Sequence, residues 1–81
     1  MERLILSVVS PVKVLFEGEV ERVTLPGTLG SFAILPGHAP IISSLEKGKI
    51  MYVTAGEEQV IEVQTGGFVE KNGGQISVCI Y

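Results

Sequence analysis

LPGTLGSFAILPGHAP, residues 25 to 40, holds three of the four prolines and the only histidine of an 81-residue chain. Leu25-Pro26-Gly27 is followed by a second copy, Leu35-Pro36-Gly37. Proline at the second position and glycine at the third satisfy a type II turn, so each copy is expected to reverse the chain. Between them, 31–35 is short and apolar and predicts a strand. Thr28 to Gly30 forms a small-residue tip, and Ala39 is held extended by Pro40 behind it. On this reading the stretch fixes backbone shape, and His38 is a hydrogen-bonded turn residue rather than a catalyst.

Outward from this stretch the pattern repeats: short β-rich segments broken by turn residues, with no sustained helical period. Strands are expected at 3–9, at 12–16 ending on Glu17-Gly18, and at 19–25. Val20 and Val23 differ in parity, so the last of these should bend or bulge near Glu21-Arg22. The proline-led stretch 40–45 suits an edge. Further strands are expected at 49–54, then after a turn at 55–58 over 59–65, and at 68–70 after the interruption of Gly66-Gly67. Asn72-Gly73 is the strongest hairpin dipeptide, expected to form a type I′ turn. In the final segment Ile76, Val78 and Ile80 alternate with Ser77 and Cys79, giving one buried face. Nine or so short strands with frequent turns predict an all-β fold, a flattened antiparallel β-sandwich or barrel, spanning 1–81 as one domain.

Composition narrows the function. Hydrophobic residues make up 46% of the chain, enough for one modest core. One cysteine, Cys79, permits no internal disulfide, and with one histidine it leaves a four-ligand zinc site out of reach. That usage suits a reducing compartment such as the cytoplasm. Six basic residues, Arg3, Lys13, Arg22, Lys47, Lys49 and Lys71, are scattered against nine glutamates, so no nucleic-acid footprint is expected. The acids at Glu17, Glu19, Glu21 and Glu57-Glu58 read as a solvated face. No apolar stretch reaches membrane-spanning length, and the start MERLILSVVS reads as a strand, not a leader. Membrane contact would come only through a partner.

Enzyme chemistry lacks parts. A serine nucleophile needs a base and an orienting acid, and Ser43 and Ser44 near His38 have no aspartate in the whole chain to complete them. Cys79 in an alternating strand reads as a packing residue. Glu17 with Glu19, or Glu57 with Glu58, sit beside glycine at turns or strand ends, where solvent keeps carboxylates ordinary. Neither Gly66-Gly67 nor Gly73-Gly74 has the spacing of a phosphate-cradling loop. No catalytic, cofactor or metal residues are therefore assigned. A free-standing β-sandwich ligand-binding module is the alternative. It would need exposed aromatics, and Phe16, Phe32 and Phe68 read as core, leaving Tyr52 and Tyr81.

Taken as one string, the chain resembles the ε subunit of F-type ATP synthases, called δ in mitochondria. The resemblance rests on Gly18-Glu19-Val20 with Val23, on Leu25-Pro26-Gly27 with Gly30, and above all on Ile34-Leu35-Pro36-Gly37-His38-Ala39-Pro40. Ser7-Val8-Val9-Ser10-Pro11, Gly48, Gly66-Gly67-Phe68-Val69-Glu70 and Ile76-Ser77-Val78 extend it over nearly the whole chain. Ala33 stands where the family often has glycine, which leaves the strand reading intact.

The resemblance implies a flattened β-sandwich of about ten strands. It also implies a non-catalytic place in the central stalk, packed on the γ subunit and touching the polar loops of the c-ring. There the domain helps couple proton-driven rotation to ATP synthesis at the cytoplasmic face of the inner (plasma) membrane. By similarity, the c-ring contact falls on Thr28, Leu29 and Ser31, with His38 near the same end. Family members commonly continue into two C-terminal helices that can inhibit hydrolysis and in some cases bind ATP. The residues end at Tyr81, after the last strand, so neither a helical hairpin nor a nucleotide site is expected in this polypeptide.

Overall fold

The computed structural model describes residues 3–81, so of the single domain expected over 1–81 Met1 and Glu2 lie outside the described residues. Nine strands follow in order: β1 (Leu4–Val9), β2 (Val14–Val20), β3 (Arg22–Gly27), β4 (Gly30–Ile34), β5 (Ile41–Leu45), β6 (Gly48–Thr54), β7 (Glu57–Val63), β8 (Gly67–Asn72) and β9 (Gln75–Ile80). Among the described residues there is no helix.

Pairing runs β2-β1-β9-β8-β5-β3-β6-β7, with β4 added to β3. The link from β5 to β3 is the single pair Gly27↔Leu45, so the path folds there into two sheets. β5 pairs with β8 over its whole length but with β3 only at Leu45, so residues 41–44 lie at an edge, as the proline-led stretch suggested. All neighbours are antiparallel except β1 and β9, which run parallel, against the all-antiparallel expectation. No hairpin dictates the sense of two strands so far apart in sequence. Their register sets Leu6 beside Ile76 and Val8 beside Val78, joining two fully buried rows.

The core follows from period-two alternation. Leu4, Leu6 and Val8 point inward from β1, and Ile76, Val78 and Ile80 from β9. Val23, Leu25, Ile34, Ile50, Tyr52 and Val63 meet them from the other sheet. Each such aliphatic contributes about 1.5–3 kcal/mol by leaving water. Val20 and Val23 are both buried despite their opposite parity because the chain bends at Glu21, as their spacing predicts. β2 does not stop at Gly18, however, but runs through it to that bend.

Side chains close the sandwich where β2 meets β6. The Phe16 and Tyr52 rings lie 4.4 Å apart, Thr54 Oγ1 donates to the Glu19 carbonyl at 3.0 Å, and Glu21 Oε2 accepts from the Gly56 N–H at 3.0 Å. Burial holds the Tyr52 phenol above its ordinary value near 10. Phe16 and Phe32 are half-buried against the core, but Phe68 lies outside it, 42% exposed on the far side of β8. Its partner there is the Tyr81 ring, 6.5 Å away.

Two turns differ from expectation. At 72–75 the hairpin forms, but Asn72 pairs with Gln75, so Gly73-Gly74 are the central residues. Only Gly73 has positive φ, the pattern of a type II′ turn. The type I′ pattern occurs instead at Ala55-Gly56, with φ of 52° and 77°, between the paired Thr54 and Glu57. The turn is therefore narrower than the 55–58 expected, and Glu57 and Glu58 belong to β7. A left-handed backbone costs alanine roughly 1–2 kcal/mol, a conformation asparagine tolerates better. Ala55→Asn is expected to raise the unfolding free energy by about 1 kcal/mol, read as a higher urea midpoint at unchanged m-value. A lowered midpoint would refute it.

Candidate functional site

The two Leu-Pro-Gly copies have different fates. Pro26 and Gly27 belong to β3, not to a turn. Gly27 is absent from the residues of positive φ, which a type II turn would require at that position. Close packing accounts for Gly27 and, across from Pro26, for Gly48. A Cβ on Gly27 would lie 2.8 Å from both the Gly30 carbonyl oxygen and the Phe32 ring, and one on Gly48 would lie 2.7 Å from the Pro26 Cβ. Pro26 is tolerated in a strand because the β3–β6 ladder covers only 22–24, so no N–H is needed from it there.

The reversal comes two residues later. Gly27 pairs with Gly30, so Thr28 and Leu29 form the tip of a two-residue hairpin. The tip is pinned to β5: the Thr28 N–H donates to the Ser44 carbonyl at 3.2 Å, and the Thr28 and Ser44 hydroxyls share a hydrogen bond at 3.0 Å. The Glu46 N–H donates to the Pro26 carbonyl at 2.9 Å, which ties the next loop to the same end. Leu29 itself is fully exposed, at 104%. Ser31, opposite Pro26, is exposed beside it. An apolar side chain thus stands on a held backbone between two hydroxyl-bearing residues.

The second copy makes the expected turn. The His38 N–H donates to the Leu35 carbonyl at 3.3 Å, and Gly37 has a φ of 88°, as a type II turn demands. His38 adds a bond of its own, its Nδ1 accepting from the Leu35 N–H at 3.2 Å. This loop is not at the hairpin tip. Val23 pairs with Ile34 at one end of the β3–β4 ladder and Gly27 with Gly30 at the other, and the loop follows Ile34. The structure therefore brings Thr28, Leu29 and Ser31 together and sets His38 at the opposite end of β4, against the expectation that it lies near them.

A buried lysine occupies that opposite end. Lys71 is 1% exposed, and its Nζ donates to the His38 carbonyl at 2.6 Å and to the Gly73 carbonyl at 2.7 Å. Composition alone gives only one of six scattered basic residues. The missed signal was parity, because Lys71 is in phase with buried Val69 on β8, while Phe68 and Glu70 face out.

The remaining candidates have observed partners that do not assemble a catalytic set. Ser43 Oγ donates to the Ser44 carbonyl and Ser44 Oγ bonds Thr28, so their hydroxyls are engaged away from His38. Cys79 is a free, half-buried thiol. Arg3 approaches Glu19 at 3.9 Å on the surface, a pair worth little in water. Among the described residues no three His, Cys, Asp or Glu side chains gather as a metal site would need, and no helix is long and apolar enough to cross a membrane.

Comparison with known proteins bears on this arrangement. Residues 3–80 match the family model for the β-sandwich domain of the ATP synthase delta/epsilon chain. The chain is 42% identical over 76 residues to the ATP synthase epsilon chain of Leptospira interrogans serogroup Icterohaemorrhagiae, covering 94% of this chain and 59% of that one. It is 44% identical over 73 residues to the epsilon chain of Desulfitobacterium hafniense, covering 90% and 54%. The chain thus spans little more than half the length of these relatives. In fold it superposes on a chain of the Euglena gracilis mitochondrial ATP synthase, solved with OSCP, F1 and c-ring, with a TM-score of 0.89 at 19% identity, over 99% of this chain and 51% of that one. A chain of the Tetrahymena thermophila central stalk and c-ring gives 0.77 at 14% identity, over 95% and 62%.

Proposed function

This chain belongs to the ATP synthase delta/epsilon β-sandwich domain family, and from that premise we propose that it is a non-catalytic rotor element of the central stalk. It docks the γ subunit to the polar loops of the c-ring and so helps carry proton-driven rotation to the catalytic head. Its place is the cytoplasmic face of the inner (plasma) membrane, held there only through the complex.

The observation that carries the docking part is the hairpin tip. A fully exposed leucine on a backbone pinned to β5 loses little freedom when it inserts between partner loops. Thr28 and Ser31 supply hydroxyls for a polar rim around an apolar centre, the arrangement that partner interfaces favour. His38, on the opposite end of β4, belongs to a different part of the docking surface from the tip.

Leu29→Glu tests it. Burial of a leucine is worth about 1.5–3 kcal/mol, and a carboxylate in its place would also have to be desolvated. Attachment of the stalk to the c-ring is expected to weaken by roughly ten- to a hundredfold, while the domain alone melts as before. Unchanged attachment to the c-ring would sink the assignment of the tip.

A further inference from the structure

We propose that Lys71 is the positioning residue of the loop 35–40: from inside the domain, its Nζ clasps the His38 carbonyl and the Gly73 carbonyl and so sets how His38 is presented. The proposal rests on the docking reading only for the importance of that presentation; the clasp itself is a property of the chain.

Three observations carry it. First, a lysine on the core-facing side of β8, paired with Ile41 on one side and Ile76 on the other, is placed where an aliphatic would ordinarily serve. Burying a lysine head without hydrogen-bond partners is costly, so its acceptors hold it as firmly as it holds them. Second, the two acceptors come from different loops: His38 from the turn after β4, Gly73 from the β8–β9 hairpin. One side chain therefore fastens two loops at the end of the β5–β8 ladder, beyond its last pair Ile41↔Lys71. Third, the fastened carbonyl is that of His38, whose own Nδ1 and N–H are both tied to Leu35. Fixing this carbonyl fixes the peptide plane from which the imidazole projects, and with it the acceptor role of Nδ1.

The charged and titratable groups of the strands packed around this end are consistent with that role. Glu70 is exposed on the opposite face of β8, β5 contains no titratable side chain, and β9 contains the Cys79 thiol. Two of the lysine's bonds go to backbone carbonyls, acceptors that do not titrate.

The test uses the 81-residue chain. Lys71→Met keeps the aliphatic stem and deletes the donors, and Lys71→Arg restores donors that can reach carbonyls. In Lys71→Met, amide hydrogen exchange at Leu35 and His38 is expected to accelerate at least tenfold. The imidazole nitrogen shifts of His38 should move from a single Nε2–H tautomer towards an average. Amides of the 28–30 tip and of the β1–β9 ladder should keep their rates, and Lys71→Arg should recover most of the His38 signature.

Two results would overturn the proposal: a folded Lys71→Met with His38 shifts and loop exchange as in the parent, or acceleration spread equally over all amides. Should Lys71→Met not fold, the parent chain decides. Slowly exchanging Nζ protons with cross-relaxation to residues 38 and 73 are expected, and a freely exchanging Nζ would end the proposal. A failed c-ring attachment assay with Leu29→Glu leaves these readouts untouched, so the two ideas fall separately.

Discussion

Gly67→Ala is expected to cost at least about 3 kcal/mol, or to prevent folding. A Cβ at this position would lie 2.2 Å from the Cys79 carbonyl oxygen, 3.1 Å from the Ile80 Cα and 3.2 Å from the Cys79 carbonyl carbon. All three are backbone atoms of β9, so no side chain can rotate away to make room. Gly67 also pairs with Ile80 on one side and Leu45 on the other. Relief would mean drawing β8 off β9 at the point where β5 passes the chain path to β3. A domain of this size has roughly 4–12 kcal/mol of total stability, so the loss would consume much of it. Urea unfolding followed by circular dichroism measures the effect, and a midpoint matching the parent would contradict the strand spacing described here.

The second large effect separates two leucines four positions apart. Leu25 is fully buried on β3, the strand that pairs with β4, β5 and β6, whereas Leu29 is fully exposed at the tip. Leu25→Ala is expected to destabilise by about 3 kcal/mol, from lost transfer free energy and the cavity left behind. Leu29→Ala, the same chemical change, should stay within about 0.5 kcal/mol. If both variants melted alike, the assignment of one leucine to the core and the other to a docking surface would be wrong. The same comparison in the assembled stalk should invert, with Leu29→Ala weakening c-ring attachment more than its stability change allows.

Much of the fold was legible along the chain because β structure writes itself with period two. The rows Leu4-Leu6-Val8 and Ile76-Val78-Ile80 declare their inner faces by alternation alone, and the parity change between Val20 and Val23 places a bend that the structure puts at Glu21. Turn residues were a less certain guide. Pro26-Gly27 has the composition of a turn but lies in β3, where the Gly30 carbonyl and the Phe32 ring leave no room for a Cβ on Gly27. Asn72-Gly73 attracts a hairpin of the right place and the wrong type, because cross-strand register, not the dipeptide, chooses which two residues turn. Phe68 joins the outer face for a related reason: its parity on β8 follows from Val69 and Lys71, and a large aromatic does not override it.

The candidate site divides along the same line. Local chemistry marked Thr28 to Gly30 as a small-residue tip, and the motif around Pro36-Gly37-His38 carried the family resemblance, which alone singled out Thr28, Leu29 and Ser31. Both depend on residues adjacent in the chain, and short-range sterics are strong enough to be read there. The separation of His38 from the tip depends instead on the length and register of β4. The burial of Lys71 depends on Ile41, Ile76 and two loop carbonyls that are distant in sequence. The parallel pairing of β1 with β9 likewise joins strands from opposite ends of the chain. Parity marks the face of β8 that Lys71 takes, but which strands and carbonyls meet there has no mark in the order of residues, because those contacts form only when the two sheets close and each buried polar group must find an acceptor.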